Sequence, residues 1–321
     1  MKDDNVVGFL RDLISGGVSG IISKTVAAPL ERVKLILQTQ HVNKDVRQQY
    51  KDTADCFRRV YQEQGLASFW RGHGANLVRY FPAQALSFAF KDLFKGMIGL
   101  GGTTAIGNFW SFVFGNIAAA GAAGGTSMLL LYPFELARTR LAADVAAFGA
   151  QRRFRGTFHC LTQIHRVHGV GGLYAGLPVS LFGVVVFRGL HLGCYDVAKS
   201  ILNNRRSGSK KHFYTDLISR LGCAQLVTTV TGTICFPLDT IRRRMMMHAK
   251  EGVTPLHSLE SGNQPSFYYR NSFHCLIRIL HEEGIRGLFA GLTANLFRGI
   301  AGSLMLVGYD ECKRILGDNN S

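Results

Sequence analysis

The stretch Pro237-Leu-Asp-Thr-Ile-Arg-Arg-Arg-Met-Met-Met247 opens with a proline, an acid two residues on and a base five residues on. The same order recurs as Pro29-Leu-Glu31-Arg-Val-Lys34 and Pro133-Phe-Glu135-Leu-Ala-Arg138, at intervals of 104 residues. A fixed long period marks tandem repeats. Tyr50-Lys-Asp-Thr53, Phe154-Arg-Gly-Thr157 and Tyr269-Arg-Asn-Ser272 form a second set, spaced by 104 and then 115 residues. Cys56, Cys160 and Cys275 keep those intervals, and so do Gly72, Gly176 and Gly291. The longer last interval is taken up by a Gly/Ser/Pro/His-rich run between Met247 and Tyr269, which reads as a loop. The expected organisation is one domain over 1–321 built of three repeats, 5–104, 105–208 and 209–321, with the insertion at about 248–268.

Composition narrows what such repeats can be. Apolar residues make up 47% of the chain, and its formal net charge is +16, which calls for anionic partners: nucleic acid, an acidic membrane surface or anionic small molecules. The seven cysteines read as reduced, core-packing thiols rather than a disulfide framework. Phe109 to Pro133 is a run of 25 residues without a charge, long enough to cross a bilayer as a helix. Leu13–Leu30 holds only Lys24, Leu217–Leu238 only Arg220, Leu288–Tyr309 only Arg298, and the segments around 75–90 and 177–194 carry Arg79 and Arg188. Two spans per repeat predict an all-α membrane protein of six helices, with a short amphipathic helix such as Thr53–Gln64 between the two spans of each repeat. Each first span is expected to end near its proline motif. A soluble basic repeat protein that binds nucleic acid is the distant alternative, and the charge-free span argues against it.

Chemistry follows from the register. Proline in a helix removes a backbone hydrogen bond, so Pro29, Pro133 and Pro237 are expected to kink three odd-numbered helices toward one another. Glu31, Glu135 and Asp239 then stand three residues from Lys34, Arg138 and Arg242, and three-fold symmetry lets each acid pair with the base of the next repeat. The even helices carry a second set, Asp92/Lys95, Asp196/Lys199 and Asp310/Lys313. Two rings at opposite ends read as two gates, and ion pairs suit that task because desolvation offsets much of their attraction. An asymmetric ligand needs asymmetric positions. Seven residues after each register glycine stand Arg79, Gly183 and Arg298, and Lys24 faces Met128 and Gly232 at its equivalents. Lys24, Arg79 and Arg298 therefore form an unbalanced cation cluster at mid-span, where charge is costly and marks function, and guanidinium groups hold phosphate bidentately. Gly183 leaves room for a flat ring beside Val184 and Phe187. Lys91 and Arg188 add charge to the same path.

The tripled Pro-x-acid-x-x-base motif, each followed by an aromatic-x-Gly segment (Phe69-Trp-Arg-Gly72, Leu173-Tyr-Ala-Gly176, Leu288-Phe-Ala-Gly291), resembles the mitochondrial carrier family over essentially the whole chain. Arg242-Arg-Arg-Met-Met-Met247 resembles the signature of the ADP/ATP carriers within it. The resemblance implies a monomeric, multi-pass antiporter of the inner mitochondrial membrane, or of a derived organelle, that exchanges ADP for ATP by alternating access. It pairs Glu31 with Arg138, Glu135 with Arg242 and Asp239 with Lys34 in a matrix gate braced by Gln38. It places the second ring on the cytoplasmic side, sets Lys24, Arg79 and Arg298 against phosphates, and associates Lys91 and Arg242 with nucleotide binding or guidance. It puts a tyrosine where this chain has Phe187 and an aromatic residue where it has His191, which leaves a carrier of another adenine nucleotide or cofactor as the near alternative. It implies bound cardiolipin, with the acid before the first loop glycine read as Glu63. Arg243, Arg244, Met245, Met246 and Met247 receive no individual role, the methionines reading as packing residues. No P-loop, His-Glu-x-x-His or Cys-x-x-Cys pattern occurs, so neither an enzyme, a metal site nor a cofactor is expected.

Overall fold

The structure, a computed structural model, describes residues 2–43, 46, 48–97, 109–145, 154–204, 213–248, 269 and 271–299. Among these every regular element is helical. The first repeat contains α1 (Lys2–Thr39), α2 (Thr53–Gln64), a short 3-10 turn (Leu66–Trp70) and α3 (His73–Met97). The second contains α4 (Phe109–Ala142), α5 (Thr157–Leu173) and α6 (Leu177–Asn204). The third contains α7 (Phe213–Ile234), α8 (Phe236–His248), α9 (Ser272–Glu282), α10 (Gly284–Leu288) and a last helix described over 292–299. The insertion expected at 248–268 lies outside the described residues, apart from the last residue of α8.

Two of the three odd helices do not end at their proline motifs. α1 continues from Pro29 to Thr39 and α4 from Pro133 to Ala142, while the third rod is interrupted at Cys235, between α7 and α8. Proline removes the bond to the carbonyl four residues earlier and crowds that carbonyl, so a helix that runs on leaves the carbonyl tilted outward and in need of another donor. For Pro29 the carbonyl belongs to Thr25, and the Trp70 indole Nε1 donates to it at 2.9 Å. The 3-10 turn of the first repeat thus repairs the defect made by its own proline.

The short helices form as their patterns dictate. In α2 the buried residues Cys56, Val60 and Gln64 recur every four positions, and Asp52 caps the start by accepting from the Asp55 amide at 2.7 Å. Each repeat then builds its own small core. Tyr50, Cys56 and Val60 pack with Val33 and Ile36, Phe154, Cys160 and Ile164 with Leu136 and Ala137, and Tyr269, Cys275 and Ile279 with Ile241 and Met247. The three thiols are 0% exposed. Burial pushes Cys56 and Cys275 up to about 12, so both stay protonated at neutral pH.

Three glycines hold the repeats together in a ring. Gly72, Gly176 and Gly291 all have φ near +80°, the left-handed region that favours glycine. A Cβ on Gly72 would stand 2.9 Å from the Arg138 carbonyl, one on Gly176 3.4 Å from the Arg242 carbonyl, and one on Gly291 3.0 Å from the Lys34 carbonyl. Each repeat therefore lays a glycine turn against the motif helix of the next, and the third closes on the first. On α1, Gly20 faces Tyr80 of α3, whose hydroxyl would meet a Cβ placed there.

Outside the motif end, large apolar side chains point outward from these rods: Ile22 and Val26 on α1, Phe182 and Val185 on α6, and Leu226 and Val230 on α7. Such a belt fits helices surrounded by lipid. Leu177–Tyr195 is long and apolar enough by itself to cross a bilayer.

Candidate functional site

The motif end carries a closed ring of ion pairs between successive repeats. Arg138 pairs with Glu31. Lys34 Nζ lies 2.8 Å from Asp239 Oδ2. Arg242 Nη2 lies 3.5 Å from Glu135 Oε1. Each acid faces a base of another repeat because the proline motifs, in register along three rods, meet at one level. Gln38, one turn past Lys34, is fully buried at 0% exposure, and its Nε2 donates to Asp239 Oδ2 and Thr240 Oγ1, both at 3.3 Å. A solvated glutamine does not describe it.

Glu135 is the most heavily engaged acid. Its Oε1 accepts from Arg243 Nη1 at 2.8 Å as well as facing Arg242, and its Oε2 lies 3.0 Å from Arg79 Nε and 3.9 Å from Arg138 Nη1. Arg243 also donates to Thr139 Oγ1 at 2.6 Å and approaches Asp239 Oδ1 at 3.5 Å. Sequence reasoning missed Arg243, although its place one residue after a ring base was a usable signal: helical rotation turns it toward the two neighbouring acids.

The rest of the Arg-Arg-Arg-Met-Met-Met run also has defined places. Arg244, 1% exposed, forms a bidentate pair with Glu283 and donates through Nε to the Gln38 carbonyl at 3.1 Å. Met246 and Met247 are 0% and 1% exposed, and Met246 Sδ accepts from Thr139 Oγ1 at 3.4 Å. In the first repeat the position equivalent to Glu283 is Gln64, directly before Gly65, and not Glu63. Gln64 accepts from Arg32 and Arg71, whereas Glu63 bridges to Arg59 on the exposed side of α2. Arg32, 1% exposed, reaches Gln64 and the carbonyls of Ser68, Ala142 and Asp144, tying the first repeat to the second.

Above the ring opens a cavity of about 540 Å3. Its lining brings together Arg79, Gly183, Val184, Phe187, Arg188, Arg242, Asn295 and Arg298, with Lys34, Glu135 and Asp239 as part of its floor. The volume is that of an ordinary small-molecule site. Five bases against two acids make it electropositive. Phe187 stacks on His191, one turn along α6, with ring centroids 5.7 Å apart and planes 10° from parallel. Lys24 does not line the cavity in this state; its Nζ lies 4.8 Å above the Tyr80 ring. The side chains of Lys91, Asp92, Lys95, Asp196, Lys199, Asp310 and Lys313 lie outside the described residues, and with them the second ring.

The three-repeat geometry agrees with a comparison of sequences. The family model for mitochondrial carrier proteins matches residues 5–101, 109–206 and 214–320. The chain belongs to the mitochondrial carrier family. The fold is accordingly the all-α carrier fold, and the protein is a transporter rather than an enzyme. Among curated proteins this carrier is similar to ADP/ATP translocase 3 of Bos taurus, 42% identical over 316 residues, 98% of this chain and 99% of the relative. ADP/ATP translocase 2 of Bos taurus is 44% identical over 313 residues, 97% of this chain and 99% of the relative. ADP/ATP translocase 2 of Rattus norvegicus is 43% identical over the same length and shares.

Proposed function

We propose that this carrier exchanges ADP for ATP across the inner mitochondrial membrane by alternating access, with the motif-end ring as the matrix gate and the even-helix acids and bases as the cytoplasmic one. The observation that carries the reading is the position of Arg79 and Arg298. Both line the cavity, yet each also faces an acid of the ring below it: Arg79 Nε lies 3.0 Å from Glu135, and Arg298 Nη1 4.0 Å from Glu31. A nucleotide phosphate entering the cavity competes with those acids for the same guanidinium groups. Binding and loosening of the ring thereby become one event, without a covalent step. A ligand held equally in both end states drives no such change, so the tightest contacts belong to the occluded intermediate.

The names of the relatives support nucleotides as the substrates, and Gly183 beside Phe187 leaves a flat recess for the base. If the exchanged nucleotides differ by one charge, the membrane potential contributes about 2.3 kcal/mol per 100 mV to the direction of exchange. Cardiolipin remains part of the proposal as a bound lipid, but the start of α2 is a poor anion site because the Asp52 carboxylate already caps it. Added cardiolipin is expected to raise the melting temperature of delipidated protein.

The test is uptake of labelled ADP into liposomes loaded with ATP, with ADP or with nothing, for the wild type and Arg79→Ala. Uptake into nucleotide-loaded liposomes alone, lost in the variant, is the expected result. Folded wild-type protein that takes up no nucleotide under any loading refutes the substrate. A second reading, a carrier of another adenine-containing anion, draws on the Phe187 and His191 stack, which offers a face without a phenolic hydroxyl. Competition by unlabelled nucleotides and cofactors separates the two.

A further inference from the structure

Both cavity arginines stand three residues after an asparagine: Asn76 precedes Arg79, and Asn295 precedes Arg298. The repeat that lacks the arginine lacks the asparagine too, holding Ser180 and Gly183 at the equivalent positions. The structure gives this pairing a geometry. Asn295 Oδ1 accepts from Lys34 Nζ at 3.1 Å and, at the same time, lies 3.3 Å from both Nε and Nη2 of Arg298. Lys34 is the ring base bound to Asp239, and Arg298 lines the cavity. One carbonyl oxygen is thus divided between the ring and the cavity. Ser180, by contrast, turns away: its Oγ donates at 2.8 Å to the carbonyl of Gly176, in the turn just before α6, and lies 3.3 Å from the Tyr132 hydroxyl. Asn76 is 1% exposed in a small void lined also by Glu31, His73 and Arg138, and in this state both of its amide atoms are enclosed without a partner.

We infer that Asn295 and Asn76 are positioning residues that couple the cavity arginines to the ring bases. When an anion draws Arg298 toward the cavity, Asn295 Oδ1 turns wholly to Lys34 and competes with Asp239 for its ammonium group. The bond that gives way is the one between Lys34 and Asp239, and the proton inventory does not change. By the repeat symmetry Asn76 takes the corresponding place between Arg79 and Arg138, although in this state it bonds to neither. Leaving a buried amide unmatched is unfavourable, so the closed ring holds Asn76 in a poor state that improves when Arg138 leaves Glu31 and becomes available to it. Two of three ring links then answer to the ligand, and the second repeat, with Ser180 and Gly183, supplies the passive wall of the cavity.

The coupling rests on the nucleotide-exchange reading for its purpose and its rate assay, but not for the test of the shared acceptor. Double-mutant cycles of Asn295→Leu with Lys34→Ala, and of Asn295→Leu with Arg298→Ala, are read as melting temperatures of purified protein without any substrate. Non-additivity in both cycles is expected; additivity in either overturns the shared acceptor. In liposomes loaded with nucleotide, Asn295→Leu and Asn76→Leu are expected to keep KM within about threefold of wild type while the maximal exchange rate falls tenfold or more. Asn295→Asp, which keeps the acceptor, is expected to recover part of that rate, whereas a packing role alone penalises a half-buried carboxylate at least as much as leucine. Wild-type exchange rates in both leucine variants overturn the coupling. A wild-type protein that moves no nucleotide refutes the proposed substrate instead, and the cycles still decide the bridge.

Discussion

Replacing Glu135 by glutamine is the sharpest perturbation of the ring, because a nearly isosteric change removes the one negative charge that Arg79, Arg242 and Arg243 share. The carboxylate is 8% exposed, and its three nearest guanidinium groups, within 3.5 Å, are 25%, 18% and 11% exposed. Breaking a buried pair by removing one partner costs about 3–5 kcal/mol. The partial exposure of Arg79 lets water take up some of the orphaned charge, which places the expected loss near the lower figure, about 3 kcal/mol. At one factor of ten per ~1.4 kcal/mol, that is a shift on the order of 100-fold away from the closed ring. At roughly 2–4 °C per kcal/mol, the melting temperature falls by about 6–12 °C. Removing a positive charge at the same time relieves the surplus. The double variant Glu135→Gln with Arg243→Met is therefore expected to melt above Glu135→Gln alone. Thermal unfolding of purified protein in detergent, followed by intrinsic fluorescence, provides the measurement. A Glu135→Gln protein melting within about 2 °C of wild type, or a double variant that loses the sum of the single losses, refutes the account of Glu135 as a shared counter-charge.

Three further outcomes follow from the same geometry. Gln38→Leu removes two bonds at 3.3 Å from the Asp239 side of the ring and is expected to cost about 1–2 kcal/mol, seen as a lower melting temperature together with faster exchange at low nucleotide; an unchanged melting temperature counts against the brace. Cys56, Cys160 and Cys275, all 0% exposed, are expected to resist maleimide at about pH 8 until the protein unfolds, as mapped by peptide mass spectrometry; rapid labelling of native protein refutes their burial. His41, just past the end of α1, is held below its usual value of about 6.5 by burial, which outweighs the Glu283 carboxylate 3.3 Å away. The folded protein therefore binds this proton more weakly than the unfolded chain. That contribution to stability is present above pH ~6.5 and is lost as pH falls through the lowered value. The melting temperature of His41→Gln is expected to fall less than that of wild type between about pH 7 and about pH 5; parallel curves refute it.

The sequence by itself determined the repeat, the positions of the ring acids and bases, and the asymmetry between Arg79, Gly183 and Arg298. Each of these is a matter of spacing: a period of 104 residues sets three copies of one motif at the same level of three rods, so the identities at one level can be read as a list. The amphipathic helix Thr53–Gln64 was legible for the same reason, since burial every four positions is local. What lay beyond reach were the contacts that depend on how the rods rotate and tilt against one another. Glu63 and Gln64 are neighbours in sequence, and only the face of α2 that meets Arg32 decides that Gln64 is the inward one. Gln38 could be a solvated side chain or a buried brace until a second helix covers it. In α1, which runs past Pro29, the donor to the freed Thr25 carbonyl is Trp70, 41 residues from the proline in sequence. Arg243 meets Glu135 of another repeat, and Asn295 divides one oxygen between Lys34 and Arg298, across two repeats. Periodicity tells which residues share a level, but a side chain's partner is fixed by distances of a few ångströms between helices that the chain brings together only on folding.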